Sequence, residues 1–303
     1  MRVTQSIISR AGIDAITAQR NRLATTQERA VTGLQINRPS DDPVDYRKTL
    51  DLKDSLSQAE RYLRGISLAG PRIATTENAL SDSASIVLDA RVVAQNATSS
   101  PDALELSKGQ IEDLFEQLVN LGNRKSAEGA YVFSGVASDT PAFEVTGTFV
   151  SGSPAPTVSF TGDVRAVSID VDDGVSVDVT RNGEQAFQGP VDVFAALTDL
   201  WTALDTADSG ARNAALQNSL GDLDAAREHL VLERAALGNQ QNKVESFEDR
   251  LEDQRVSITS AISVLESVDS VAVFSELVEQ ETALQASLAV TSRLISPTLL
   301  DFI

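Results

Sequence analysis

From residue 244 to 268 the apolar side chains Val244, Phe247, Leu251, Ile258, Ala261, Leu265 and Val268 return at heptad spacing, with Gln254 the one polar residue on the seam. A single helix cannot bury such a seam, so the pattern demands a partner helix from this chain or another copy. After Ser267-Val268-Asp269-Ser270-Val271 a second run continues with Leu277, Leu284, Leu288 and Ile295. Near the other end Ile13, Ile16, Leu23, Ala30 and Leu34 recur in a three-four rhythm that Arg20 and Gln27 interrupt. That face is too polar to stand alone in water. The two ends are therefore expected to pair with each other or with other subunits.

Between the ends, residues 44–98 and 102–127 read as helices, with a kink expected at Pro71 and Ser100 capping the second ahead of Pro101. Residues 211–269 can form one helix of roughly 90 Å. Residues 129–190 switch to strand period. Within them a loop at Asp172-Asp173-Gly174 sets Val171 opposite Val175, Ile169 opposite Val177 and Val167 opposite Val179. Residues 146–157 read as a solvated loop. The expected fold is mainly α with a β insertion: long antiparallel helices in a coiled-coil rod carrying one small β-rich domain.

Composition narrows the chemistry. Aromatics are 5% of the 303 residues, so apolar surface must be carried largely by Ala, Val, Leu and Ile, which suits long helices. With 44 acidic and 25 basic residues the net charge is −19, which argues against nucleic acid and anionic membrane as partners. Cysteine is absent, so disulfides and thiolate chemistry are excluded. No apolar run approaches the ~20 residues of a membrane span. The opening residues lack the apolar stretch of an ordinary secretory signal.

The acids of "INRPSDDPVDY" (36–46) invite a catalytic or metal-binding reading, but adjacent side chains point apart and no His, Glu or Asn cluster completes a ligand set. A turn and cap needs less. Pro39 keeps Arg38 out of the α region, Ser40 and Asp41 fall in the turn, Asp42 caps the next helix, and Pro43 takes its first position. The stretch 170–178 fails as a calcium loop, because its glycine is fifth and position twelve is Arg181. His229 reads as a solvated helix residue. Trp201 falls at helical spacing with Phe194, Leu197 and Leu204 and reads as core, as do Tyr131 and Phe133 on an expected strand. No catalytic, cofactor or metal site is expected.

Several stretches resemble a known family. They are the opening "MRVTQS", the Gln-rich helix and turn "AQRNRLATTQERAVTGLQINRPSDDPVDYRKTLDL", the segment "GNRKSAEGAYVFSGVASDTPAF", and the ending "ELVEQETALQASLAVTSRLISPTLLDFI". Together they are similar to the flagellar hook-associated protein 3 family, the hook–filament junction proteins of the flagellin-like superfamily. Flagellins themselves tend to read Ala-Lys-Asp-Asp-Ala-Ala-Gly where this chain has Pro39-Ser40-Asp41-Asp42-Pro43. They also favour Ser-Gly where it has Thr32-Gly33.

The resemblance implies an extracellular structural adaptor, exported by the flagellar type III apparatus on an uncleaved signal. It would assemble as a helical layer of identical copies between hook-associated protein 1 and flagellin, with an export chaperone covering the C-terminal region. The expected division is residues 1–43 with 244–303 as terminal assembly helices, 44–128 with 191–243 as a helical rod, and 129–190 as an outward-facing β-rich insertion. The expected assembly residues are Ile8, Ile13, Ile16, Leu23, Leu34, Val244, Leu251, Ile258, Leu265, Leu284, Leu288 and Ile295. Alternative readings are a flagellin or minor filament subunit, or a secreted enzyme or binding module on a rod.

Overall fold

The computed structural model of the chain describes residues 2–97 and 101–295. The elements run α1 (Arg2–Thr32), α2 (Pro43–Asn96), α3 (Pro101–Gly122), β1 (Phe143–Thr146), β2 (Thr157–Phe160), β3 (Ser168–Asp172), β4 (Val175–Asp178), α4 (Gly183–Gln188), α5 (Val193–Asp205), α6 (Ser209–Glu266) and α7 (Ser270–Ile295). Contacts divide them into two compact units. One holds residues up to Gln58 and from Asp253 onward, the other Ala59–Glu252. The expected Ser100 cap lies outside the described residues.

In the second unit α2 buries Ile66, Ala69, Ile73, Thr76, Leu80, Ser83, Val87, Ala90 and Ala94, an unbroken heptad stripe that alternates larger with smaller side chains as far as Ala90. α6 answers with Leu216, Leu223, Leu230, Leu237, Val244 and Leu251. Arg91 lies 2.9 Å from Asp224 and Arg234 donates to Glu77, so partner numbers fall along α6 as they rise along α2 and the helices are antiparallel. α2 runs on through Pro71 as one helix.

Few as they are, the rings are concentrated. Phe143 lies at 4.9 Å from Phe194, 5.5 Å from Phe187 and 5.7 Å from Phe160, and Phe133 lies 5.1 Å from Phe187. Phe133 is fully buried, but it sits in a turn rather than a strand. Tyr131 makes one isolated bridge, to Lys125, and stays half-buried. Trp201 is buried with Phe194, Leu197 and Leu204, as its spacing predicts, and its Nε1–H donates to Glu112.

Both hairpins are two-stranded. β1 pairs with β2 from Phe143↔Phe160 to Thr146↔Thr157. In the β3–β4 hairpin the Ile169↔Val177 pairing holds, and Val179 N–H donates to Val167 O. At the tip, however, Asp172 faces Val175 and Val171 becomes the bulged residue, fully buried.

Two expectations about exposure are corrected. His229 is buried, at 7% exposure, with Nε2 3.0 Å from the Gln185 carbonyl within α4. One turn later Glu233 accepts from Arg181 Nε at 2.8 Å, so the face of α6 that reads as charged and solvated instead secures α4 and the chain just before it. The 146–157 loop is likewise anchored. Phe149 packs 5.1 Å from both Phe115 and Trp201, and Asp205 accepts from Gly152 N–H and from the buried Lys108. Burial pulls the Lys108 ammonium down, but hydrogen bonds to Asp205 and Glu105 outweigh it and leave Lys108 above its ordinary range. The Lys108 hydrogen bond is the main cause holding Asp205 at about 2.

Because the folded Asp205 value lies below the ordinary 3.8, its stabilisation is present above that pH and is lost as pH falls toward 2. Asp205→Asn is therefore expected to lower Tm at neutral pH and to show a smaller further loss than the wild type between about pH 4 and pH 2. A second test concerns Gly135, which sits at φ 62° with space for a Cβ only 2.1 Å from Asp163 O. Gly135→Ala should cost about 3 kcal/mol or more in chemical denaturation, against about 1 kcal/mol for Gly152→Ala, whose φ is also positive but whose surroundings are open.

Candidate assembly surface

The first unit is organised by two turns. α1 stops at Gly33, where φ is 70° and the N–H donates to Arg29 O. Beyond it the chain lies antiparallel to the link between α6 and α7. Gln35 N–H donates to Glu266 O at 2.7 Å, Val268 N–H donates to Gly33 O at 3.1 Å, and Leu34 bridges Ser267. Lys53 reaches the same link, 2.6 Å from Glu266. On the other side Asp269 Oδ1 accepts from Val271 N–H and Ala272 N–H and starts α7.

The acids of the 36–46 stretch act on backbone. Asp41 Oδ2 accepts from Asn37 N–H at 3.0 Å and Arg38 N–H at 2.9 Å, which closes the turn through Pro39 and Ser40. Asp42 Oδ1 accepts from Val44 N–H at 2.9 Å and Asp45 N–H at 3.0 Å, with Pro43 the first residue of α2. Arg38 returns to α1, its Nη2 3.0 Å from both carboxylate oxygens of Glu28. Among the described residues no group of three His, Asp or Glu side chains converges to hold a metal ion, and no helix is long and apolar enough to cross a membrane.

From these turns α1 and α7 run back side by side. Thr26 Oγ1 faces Glu276 Oε1 at 3.5 Å, Gln19 Nε2 donates to Gln280 O at 3.4 Å, and a methyl on Gly12 would lie 3.3 Å from Thr291 Cγ2. The seam on α1 is thus Gly12, Ile16, Gln19, Leu23, Thr26 and Ala30, all sheltered to some degree. It keeps Ile16, Leu23 and Ala30 of the line that sequence suggests, but Gly12, Gln19 and Thr26, each one position earlier, take the places of Ile13, Arg20 and Gln27. Gly12, Gln19 and Thr26 are small or hydrogen-bonding, and such residues give periodicity analysis no signal. On α7 the facing stripe runs through Val273, Leu277, Gln280, Leu284 and Thr291.

The expected assembly residues divide accordingly. Val244, Leu251 and Ile258 are buried within the chain. Ile16, Leu23, Leu34, Leu265 and Leu284 are half-buried. Ile13 and Leu288 are 56% and 47% exposed. Ile8 and Ile295 lie in α1 and α7, with side chains outside the described residues.

A second stripe on each helix stays open. On α1 it is Ile13, Thr17, Arg20, Ala24, Gln27 and Val31; on α7 it is Val271, Phe274, Val278, Glu281, Gln285 and Leu288; all twelve are exposed. Sequence reading missed the α7 stripe except for Leu288, because the Leu277–Leu284 line is the stronger signal there. Val31 at 87%, Val271 at 82% and Phe274 at 55% exposure are costly on a lone soluble subunit.

Removing the α2 cap is expected to weaken this unit without touching either stripe. Asp42→Ala should cost about 1 kcal/mol in chemical denaturation and Asp42→Ser should recover most of it.

Comparison with known proteins agrees with this geometry. The bacterial flagellin N-terminal helical region matches residues 4–138, and the bacterial flagellin C-terminal helical region matches residues 220–303. The flagellar hook-associated protein 3 of Escherichia coli is 28% identical over 300 residues, covering 95% of each chain. The flagellin of Bacillus subtilis is 24% identical over 311 residues, covering 97% of this chain and 96% of its own. The crystal structure of flagellar hook-associated protein 3 from Legionella pneumophila has the same fold, with a TM-score of 0.62 at 14% identity, covering 71% of this chain and 98% of its own. The matched helical regions together take in most of the chain, which belongs to the bacterial flagellin family.

Proposed function

We propose that the chain is the structural adaptor joining hook to filament in the bacterial flagellum, assembling as a helical layer between hook-associated protein 1 and flagellin. The observation that carries this reading is the α1–α7 pair, whose inner seam mixes apolar with small and polar side chains while Val31, Val271, Phe274 and Val278 stand exposed on the outer stripes. A monomer gains nothing from exposed Phe274 or Val271. A layer of copies does, since burial at about 25 cal/mol per Å² offsets the entropy of ordering the terminal helices.

On this reading residues 1–43 with 244–303 form the assembly region, and Ile13 and Leu288 contact other copies. Residues 44–128 with 191–243 form the rod, and 129–190 face outward. An export chaperone covers the C-terminal region before passage through the type III apparatus, shielding the α7 stripe from premature association. The relatives are structural flagellar proteins, and the chain works by shape and packing rather than by catalysis, with no metal or cofactor.

Deleting the gene should leave bare hooks in electron micrographs and flagellin monomers in the medium. Filaments of normal length in the deletion strain would overturn the junction reading and favour a minor flagellin.

A further inference from the structure

The two open stripes each carry one charge. Arg20 lies on the α1 stripe and Glu281 on the α7 stripe, both exposed and neither paired with another side chain among the described residues. They stand out because α1 is a net-basic helix, with Arg2, Arg10, Arg20, Arg22 and Arg29 against Asp14 and Glu28, in a chain of charge −19.

Their positions discriminate among the ways a second copy could cover these stripes. Parallel pairing of α1 with α1, or α7 with α7, stacks arginine on arginine or glutamate on glutamate. Antiparallel self-pairing sets Arg20 against Ala24, or Glu281 against Val278. Parallel pairing of α1 with α7, started from Ile13 and Val271, sets Arg20 against Val278 and Glu281 against Ala24. Each arrangement either repels or desolvates a charge against an apolar side chain.

Antiparallel pairing of α1 with α7 does neither. Ile13 is seven residues from Arg20, and Leu288 is seven from Glu281, so aligning the apolar pair aligns the charged one. The same register sets Gln27 beside Phe274 and Val31 beside Val271. We propose that copies join through this antiparallel contact between the α1 stripe of one and the α7 stripe of another, with Arg20 and Glu281 fixing the register. The proposal rests on the assembly reading above and adds which surface of each helix meets which.

The test is a charge exchange in a strain lacking its own copy of the gene, read by swimming and by the fraction of cells bearing filaments. R20E and E281R alone should each reduce that fraction at least tenfold, while both variants keep wild-type helix content by circular dichroism and still reach the medium. The double variant should restore filaments, and so should co-expression of the two single variants, because a copy carrying R20E then finds a copy carrying E281R as its neighbour. Restoration by the double variant without restoration by the mixture would place the pair within one chain and overturn the proposal. Failure of both, or full function of either single variant, would overturn it as well. If the wild-type gene itself restored no filaments, the adaptor reading would be what fails.

Discussion

Two backbone hydrogen bonds, from Gln35 N–H to Glu266 O and from Val268 N–H to Gly33 O, join the turn that ends α1 to the turn that begins α7. With those turns held together, two helices of 31 and 26 residues leave one place in opposite chain directions and must lie side by side. Side chains around the stitch serve backbone. Asp41 and Asp42 satisfy N–H groups on one side, Asp269 does so on the other, and Lys53 and Arg38 tie in neighbouring carboxylates. Had the paired acids been reactive groups, their oxygens would need to be free for substrate or metal; here Asp41 Oδ2 and Asp42 Oδ1 each accept two N–H groups.

The α1–α7 seam is held by weak means. Its cross-helix hydrogen bonds, at 3.4 and 3.5 Å, are long, and Gln280 Oε1 is buried without a partner. A net contribution of about 1 kcal/mol for a good hydrogen bond is an upper bound for either. Close approach at Gly12, Thr26 and Ala30 lets the helices touch, but it buries little apolar area. Beside the Ile16, Leu23, Val273, Leu277 and Leu284 of the seam, Val31, Val271, Phe274 and Val278 are placed where the monomer cannot use them.

How much of this was legible in sequence follows from what periodicity can register. The heptads of α6 were plain because Leu251 and Ile258 are large and apolar, and the mainly α fold with its β insertion followed from them and from the alternation beyond residue 129. Half of the α1 seam, Ile16, Leu23 and Ala30, was legible, but the other half was placed one position late because Gly12, Gln19 and Thr26 are not hydrophobic, whereas Ile13 is. Hydrophobicity marks what wants burial without saying by what. His229 and the anchored 146–157 loop were missed for a related reason: a histidine on a charged helix and a Gly/Ser/Pro-rich loop look solvated until a distant carbonyl, or the space between Phe115 and Trp201, is supplied by tertiary contact. The Asp41-Asp42 turn was readable because Pro39 and Pro43 restrict the backbone locally.

The division of aromatic residues shows what each unit must do alone. Seven of the ten phenylalanines and the single tryptophan lie within the ring contacts of the second unit. Each large ring buries about 150–250 Å², so a few of them supply a core that needs no neighbour. The first unit has no such cluster, and its described phenylalanine, Phe274, is on the outside. Strengthening the α1–α7 seam with large apolar residues would stabilise the lone subunit, but the same helices would then have less reason to accept partners. A seam just strong enough to align two stripes, with apolar side chains left exposed on those stripes, makes association rather than folding the step that completes the burial.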